Sequence, residues 1–506
     1  MVEDGQEGGR EMQSIGATRR PGPPAGRGLS GALALLVLTI PLSAQQTVDV
    51  TLSDETLGTV SGSFWGLHYD GPEHQTSDSI SGGLITMPGA YGSPACRELL
   101  HNLGIVLVRI FVWQAGVHPD AETWNWETTD EEVRQVVEAG FEPLLCLHQT
   151  GPTWMGGTEE APWWETDVGR EQWAAFAGTL ARRYGERCRF YEILNEPNII
   201  HGERRDCFGW DGVAEVYLRA AAAIREARPE AACGGAATWA AWETAQFGKT
   251  VLARPGGEEL LDFVSFHIYA SHDLDDPNDA LMARTPWFSE TPRYIREQLA
   301  AVTDKPIAIA CTEYNSSAVC ARDGKPYTDP RNVNAFGGVL AADVLCRSAL
   351  GGADMVFHFA TIGGFGLIVW PPEYRPRACY HAHLLLAAVA GLQPGALVLG
   401  TSNSLPETEV PGAVEGKWTH RALESYGLQA HDGSRCVVLV CKGAQTSYTA
   451  RVSRSAPSAG VAEVYQYSSR RIPDALYPLS VADTSGAPVE VQCPPYSVTV
   501  VKWPVG

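Results

Sequence analysis

Between Ser63 and Phe359, short apolar runs alternate with stretches whose apolar residues recur every three or four positions. The runs predict strands at Phe64–Tyr69, Val106–Val112, Pro143–His148, Phe190–Leu194, Ala232–Thr238, Phe263–Tyr269, Pro306–Thr312 and Met355–Phe359. Helical periodicity lies between them, as in Asp130–Ala139, Glu171–Tyr184, Val213–Arg228 and Phe336–Leu350. Thr129 with Glu132 predicts a capping box at the first of these helices. Nearly continuous apolar strands separated by helices mark a parallel sheet covered on both faces. Eight such units predict a closed (β/α)8 TIM barrel rather than an open sheet.

After Phe359 the pattern changes. Tyr380–Gly391 reads as a last helix, and turn residues then punctuate alternating runs at Cys436–Cys441, Ala462–Tyr467, Val489–Cys493 and Ser497–Trp503. Period-two alternation with frequent turns predicts an antiparallel β-sandwich domain. Thr47–Leu52 alternates in the same way and is expected to join it. The expected organisation is a leader over 1–44, a strand segment over 45–60 joining the sandwich, a barrel over 61–392 and the sandwich over 393–506.

The start of the chain carries a targeting pattern. Arg19, Arg20 and Arg27 precede an apolar run from Leu29 to Leu42, and Ser43-Ala44 places small residues before Gln45. That run is short for a bilayer span and fits a secretory signal cleaved near Ala44. The expected location is secreted or periplasmic, with an uncleaved N-terminal anchor as the alternative.

Composition narrows the partner. The 506 residues carry a formal net charge of −21, which repels a polyanion such as nucleic acid over most of the surface. A neutral partner suits that field better. The 15 Trp divide in expectation between core packing and stacking platforms, because sugar rings present apolar C–H faces that suit indole. The 12 Cys are scattered, with no zinc-ligand spacing, so neither catalytic metal nor other cofactor is expected. Cys146, Cys233 and Cys311 lie in apolar runs as buried thiols, whereas Cys436, Cys441 and Cys493 fall in the β-rich region and are available to pair.

A barrel of this kind keeps its chemistry where the strands end. The fourth run ends in Asn195-Glu196-Pro197 and the seventh in Glu313-Tyr314-Asn315. Three βα units separate the two acids, so they face each other across the mouth. Glycoside cleavage needs such a pair, one acid to protonate the leaving oxygen and one ionised to act on the anomeric side. Carboxyls about 5–5.5 Å apart permit direct attack and retention, and about 6.5–9.5 Å leaves room for a water and inversion. His148 ends the third run and faces the same mouth, as a candidate for sugar binding.

These residues resemble a clan A glycoside hydrolase, most closely family 39, the β-xylosidases and α-L-iduronidases. The resemblance runs from about Thr47 to the end. It rests on Asn195-Glu196-Pro197, on Thr312-Glu313-Tyr314-Asn315, on His267 and Tyr269 in the sixth run, and on Arg109 in the second. Gly363-Gly364-Phe365-Gly366-Leu367 and Arg377-Ala378-Cys379-Tyr380 resemble the family's passage from strand eight into the last helix. The resemblance implies that Glu196 is the acid/base and Glu313 the nucleophile. It also implies that Arg109 and Tyr269 hold Glu313 anionic, that Asn195 binds the sugar 2-hydroxyl and that His267 positions. Glu196 is expected in a less compensated setting, with a raised pKa. His358-Phe359-Ala360 stands where clan members commonly place a Trp, and Trp370 comes too late to fill that place. Asn315 after Glu313-Tyr314 is similar to the arabinofuranosidases of family 51.

Trp154, Trp163, Trp164, Trp210, Trp239, Trp242 and Trp287 lie in mouth-side loops as candidate walls of the sugar subsites. The expected activity is retaining hydrolysis of an oligosaccharide or polysaccharide substrate, exo-acting on β-xylosides or similar glycosides. An α-L-arabinofuranosidase or endo-glycanase of the same clan is the alternative within the class. A non-catalytic carbohydrate-binding protein is the alternative outside it.

Overall fold

A computed structural model describes residues 46–69, 90–149, 153–155, 163–197, 209–322, 325–369, 372–411, 417–455, 460–472, 476–484 and 487–505. The expected leader and Trp370 lie outside the described residues. After β1 (Gln46–Thr59), eight strands close a parallel barrel. They are β2 (Trp65–His68), β3 (Leu107–Trp113), β4 (Glu142–His148), β5 (Phe190–Ile193), β6 (Ala232–Thr238), β7 (Phe263–Ser271), β8 (Ala308–Ser317) and β9 (Met355–His358). The principal helices are α1 (Pro94–Asn102), α2 (Glu127–Glu138), α3 (Asp167–Tyr184), α4 (Trp210–Ala227), α5 (Ala241–Leu252), α6 (Trp287–Ala300), α7 (Ala335–Gly351) and α8 (Ala378–Leu384).

Two local expectations change. The capping box is absent, because α2 starts earlier, at Glu127 after Trp126, and Thr129 is buried within its first turn. Packing sets that entry: Trp124 stacks on Trp126 at 5.0 Å, and the Arg183 guanidinium covers the Trp126 ring at 4.6 Å. Strands β7 and β8 also run past the point where apolarity ends. His267 pairs with Glu313, Tyr269 with Asn315 and Ser271 with Ser317. A backbone ladder is indifferent to side-chain polarity, so the polar mouth is still sheet.

The C-terminal strands form one hydrogen-bonded sheet with β1. They are β10 (Leu397–Asn403), β11 (Leu423–Gln429), β12 (Arg435–Cys441), β13 (Tyr448–Arg454), β14 (Val461–Ser468), β15 (Ser480–Asp483), β16 (Val489–Cys493) and β17 (Ser497–Trp503). Their order is β15-β14-β17-β12-β11-β10-β1-β13-β16. Every pair is antiparallel except β1 with β13, which is parallel. The sheet has two buried faces. On β12, Cys436, Val438 and Val440 belong to the barrel-side core, and Val437, Leu439 and Cys441 to the sheet's own core. Each buried aliphatic side chain contributes about 1.5–3 kcal/mol relative to exposure. Cys436, Cys441 and Cys493 are free buried thiols, not disulfides.

Charge also crosses from barrel to sheet. Lys442 approaches Asp343 of α7 at 2.6 Å and Glu424 of β11 at 3.4 Å, and it donates to Thr285 at 2.8 Å. Arg347 of α7 pairs with Glu424, and the Tyr426 hydroxyl donates to Asp343. All four charged residues are buried. Burial works against the Asp343 charge, but Lys442 and Arg347 outweigh it and hold the carboxyl below its ordinary range.

Candidate active site

The turn that leaves β5 is held at three consecutive residues. Leu194 N–H donates to Leu147 O at 3.2 Å, and Glu196 N–H donates to Ala237 O at 3.1 Å. Between them Asn195 and Gln149 clasp each other: Asn195 N–H donates to Gln149 Oε1 at 2.8 Å and Gln149 Nε2 donates to Asn195 O at 2.7 Å. Leu194 and Glu196 have φ of 74° and 49°, a left-handed conformation costly to side chains with a Cβ. The bonds from β4 and the β6 end hold the turn in that shape, so the carboxyl of Glu196 is aimed by its neighbours.

Arg109 of β3 is the hub. Its Nε donates to Glu192 at 2.6 Å, Nη1 to Glu313 at 2.6 Å, and Nη2 to Asn195 Oδ1 at 2.6 Å and to the Cys146 sulfur at 3.2 Å. The planar fork thereby fixes three polar side chains in one plane, which an ammonium could not do. Burial opposes the charge of Arg109, but its acidic neighbours raise its pKa and keep it protonated. Glu192, fully buried on β5, is likewise disfavoured by burial and held below its ordinary range by Arg109 and His267.

Glu313 accepts from Tyr269 at 2.7 Å on its second oxygen. Burial, then Glu313, raises the Tyr269 phenol well above its ordinary value, so it remains a donor. His267 lies between the two acids, with Nδ1 2.6 Å from Glu196 Oε1 and Nε2 3.7 Å from Glu313 Oε1. Burial pulls its pKa down; Glu313 and Glu196 outweigh that and raise it. The side chain of Glu196 is 27% exposed and that of Glu313 9%. Glu313 is therefore gripped by a cation and a hydroxyl, whereas Glu196 touches one imidazole and opens to the mouth.

One ligand atom from each of Glu196, His267 and Glu313 lies within 4.8 Å of the others, a spacing that also suits a metal ion. The Arg109 guanidinium already occupies the cation's place beside Glu313, and the short His267–Glu196 contact uses the atoms an ion would need. The donor set fits an ion pair network better than a metal centre.

Arg109, Asn195, Tyr269 and Glu313 thus share one hydrogen-bonded network, and the hydrogen-bonded pair of Glu196 and His267 meets it at the 3.7 Å contact between His267 and Glu313. His148 stands outside it, stacked on Trp113 at 3.8 Å. Burial, then Arg109 and His267, lowers its pKa to about 3, so the ring is neutral. Glu192 and Gln149 were not among the expected site residues. An acid inside an apolar run was the available signal for Glu192; nothing in the pattern marks Gln149. The floor is apolar: Phe111, Cys146, Phe359, Ala360 and Phe365 cluster, with Trp113 and Tyr269 against them. Phe359 supplies the aromatic surface at the end of β9. Asn315 is buried and donates to Phe359 O at 2.5 Å and Phe365 O at 3.0 Å, so it braces this floor. Of the loop tryptophans, Trp163 and Trp164 are buried, and Trp239 and Trp242 are exposed.

Solved structures of similar fold include CelM2, a bifunctional glucanase-xylanase from a metagenome library. It is 15% identical, with a TM-score of 0.60, covering 91% of this chain and 100% of that one. The GH51 arabinofuranosidase from Xanthomonas axonopodis pv. citri is 15% identical, with a TM-score of 0.64, covering 90% and 99%. A monomeric beta-xylosidase from Caulobacter crescentus CB15 is 17% identical, with a TM-score of 0.58, covering 91% and 100%. No curated protein matches the chain. The profile described as Cellulase (glycosyl hydrolase family 5) matches residues 76–333, half of the chain and the strands that carry Arg109, Glu196, His267 and Glu313. The chain belongs to that family, a glycoside hydrolase family of clan A.

Proposed function

We propose that this enzyme is a retaining glycosidase, exo-acting on β-xylosides or a similar pentoside, with Glu196 as acid/base and Glu313 as nucleophile. The observation that carries this reading is the approach of the two carboxyls, oxygen to oxygen within 4.8 Å across His267. Inversion needs about 6.5–9.5 Å for an intervening water, whereas direct attack needs about 5–5.5 Å. In the first step Glu313 bonds to the anomeric carbon while the glycosidic bond breaks and Glu196 gives its proton to the departing oxygen. In the second, Glu196 takes a proton from the water that displaces Glu313. The oxygen of Asn195 is held by Arg109, which leaves its NH2 to donate to the sugar 2-hydroxyl. His267 donates to Glu196 as that carboxyl becomes charged.

The pentoside choice rests on the strand-end motifs similar to family 39 and on the xylosidase and arabinofuranosidase among the solved structures of similar fold. Action outside the cytoplasm is part of the proposal, because the arginine-then-apolar start fits export.

The test is a panel of aryl glycosides, including β-xylosides and α-L-arabinofuranosides, with proton NMR of the first-formed anomer. Retention supports the proposal and inversion overturns it. Glu313→Gly with azide and the cleaved glycoside should then yield a glycosyl azide of inverted configuration. A retained azide would assign Glu313 the acid/base role instead. Oligosaccharide binding by calorimetry with no product from any substrate would favour a binding protein.

A further inference from the structure

We propose that Gln149 is a positioning residue for the acid step: its side-chain amide pins the peptide bond before Glu196 and so aims the Glu196 carboxyl at the glycosidic oxygen. This rests on Glu196 being the acid/base.

Strands β4 and β5 pair from Leu144 with Phe190 to Leu147 with Ile193, and Leu194 N–H still donates to Leu147 O at 3.2 Å. One residue on, a side chain continues the ladder. Asn195 N–H donates to Gln149 Oε1 at 2.8 Å, and Gln149 Nε2 donates to Asn195 O at 2.7 Å. A primary amide carries the donor and the acceptor of a peptide group, so Gln149 pairs with Asn195 as a strand residue would. Gln149 is buried, and loss of its amide would leave the Asn195 groups unsatisfied.

The carbonyl that Gln149 holds and the N–H of Glu196 belong to one peptide bond. Its oxygen is bound from the β4 side, and its N–H is bound from the β6 side by Ala237 O at 3.1 Å. A planar unit tied at both edges cannot turn over without breaking a hydrogen bond. Glu196 has a φ of 49°, which is unfavourable for a residue with a Cβ, and turning that peptide over would relieve it. The Glu196 carboxyl meets His267 Nδ1 at 2.6 Å and opens to the mouth, so its direction depends on the backbone beneath it.

The other groups have anchors of their own. Arg109 holds the Asn195 side chain, and Arg109 with Tyr269 holds Glu313. Loss of the Gln149 amide therefore falls on the acid and spares the nucleophile. Protonation by the acid governs the rate when the leaving group is poor and matters little when it departs as a stable anion.

The experiment compares Gln149→Met and Glu196→Ala with the wild type on two glycosides of the sugar cleaved in the panel above. Dinitrophenolate leaves unaided, whereas phenoxide needs the proton. Gln149→Met should lower kcat/KM about ten- to a hundredfold on the phenyl glycoside and less than about threefold on the dinitrophenyl glycoside. Azide needs no general base. It should raise kcat of Gln149→Met on the dinitrophenyl glycoside, with a glycosyl azide of retained configuration as product. Gln149→Glu is the second variant should Gln149→Met fail to fold. It keeps an acceptor for Asn195 N–H, has no donor for Asn195 O once ionised, and should show the same split. Equal losses on both glycosides, an unchanged rate on the phenyl glycoside or no response to azide overturns the role of Gln149 when Glu196→Ala does show the split. Absence of the split in Glu196→Ala overturns the acid/base assignment, and this role with it.

Discussion

Among the described residues, the buried charge network between α7 and the C-terminal sheet and the one at the barrel mouth differ in balance. Between α7 and the C-terminal sheet, Asp343 and Glu424 face Arg347 and Lys442, two carboxylates against two cations, with Tyr426 donating to Asp343 and Thr285 accepting from Lys442. At the barrel mouth, Glu192, Glu196 and Glu313 face one guanidinium and one imidazole. The first network is matched and closed. The second carries an excess of carboxyl groups and opens on the Glu196 side. A matched pair is quiet once desolvation is offset. An unmatched set is prepared for an incoming positive charge, and glycoside cleavage develops one in its oxocarbenium-like transition state. Excess charge thus marks the site, and balance marks the scaffold.

The sharpest break between them is functional. On the proposed mechanism, in which Glu313 is the nucleophile, Glu313→Gln should lower kcat by at least about 10⁴-fold and leave the melting temperature nearly unchanged, because one carboxylate of an unbalanced set is removed. Steady-state kinetics and calorimetry on one preparation would check both, and a large loss of stability would erase the contrast. Lys442→Ala should behave in the opposite way. Removing one partner of a buried set typically costs about 3–5 kcal/mol, here visible in urea unfolding, while activity per folded molecule stays close to that of the wild type. A fall in kcat with no loss of stability would show that the interface network serves the site.

Glu192→Gln is an intermediate case. It leaves Arg109 in place but loosens one arm of its fork, so kcat should fall about ten- to a hundredfold with KM little changed. A change confined to KM would mean that Glu192 acts on binding instead.

The smallest effect concerns pH. His148 is held neutral with a pKa of about 3, whereas an unfolded histidine takes a proton near pH 6.5. As pH falls below about 6.5 the unfolded chain gains a proton that the folded chain refuses, so stability attached to His148 declines. His267 has a raised pKa, so its contribution is fully present below about pH 6.5 and is lost as pH rises through its folded value. Melting curves of His267→Gln should show the larger deficit against wild type in acid, and those of His148→Phe the smaller one. The reverse order would contradict the assigned directions.

The sequence by itself determined the barrel, because strands buried on both faces must be apolar along their length and the covering helices must repeat near 3.6 residues. It also marked Glu196 and Glu313, since each follows such a run and a barrel presents its strand ends together. Side-chain polarity does not report backbone pairing, so it could not locate the true ends of β7 and β8. Nor could it see that Trp124 and Trp126 would set the start of α2. Only the tertiary structure decided which groups meet. Glu192 of β5, Arg109 of β3 and Gln149 just past β4 make one cradle, and His267 falls between the acids because β7 and β8 share a register. The physical reason is that catalysis needs distances of a few ångströms between residues far apart in the chain, and such distances are set by packing.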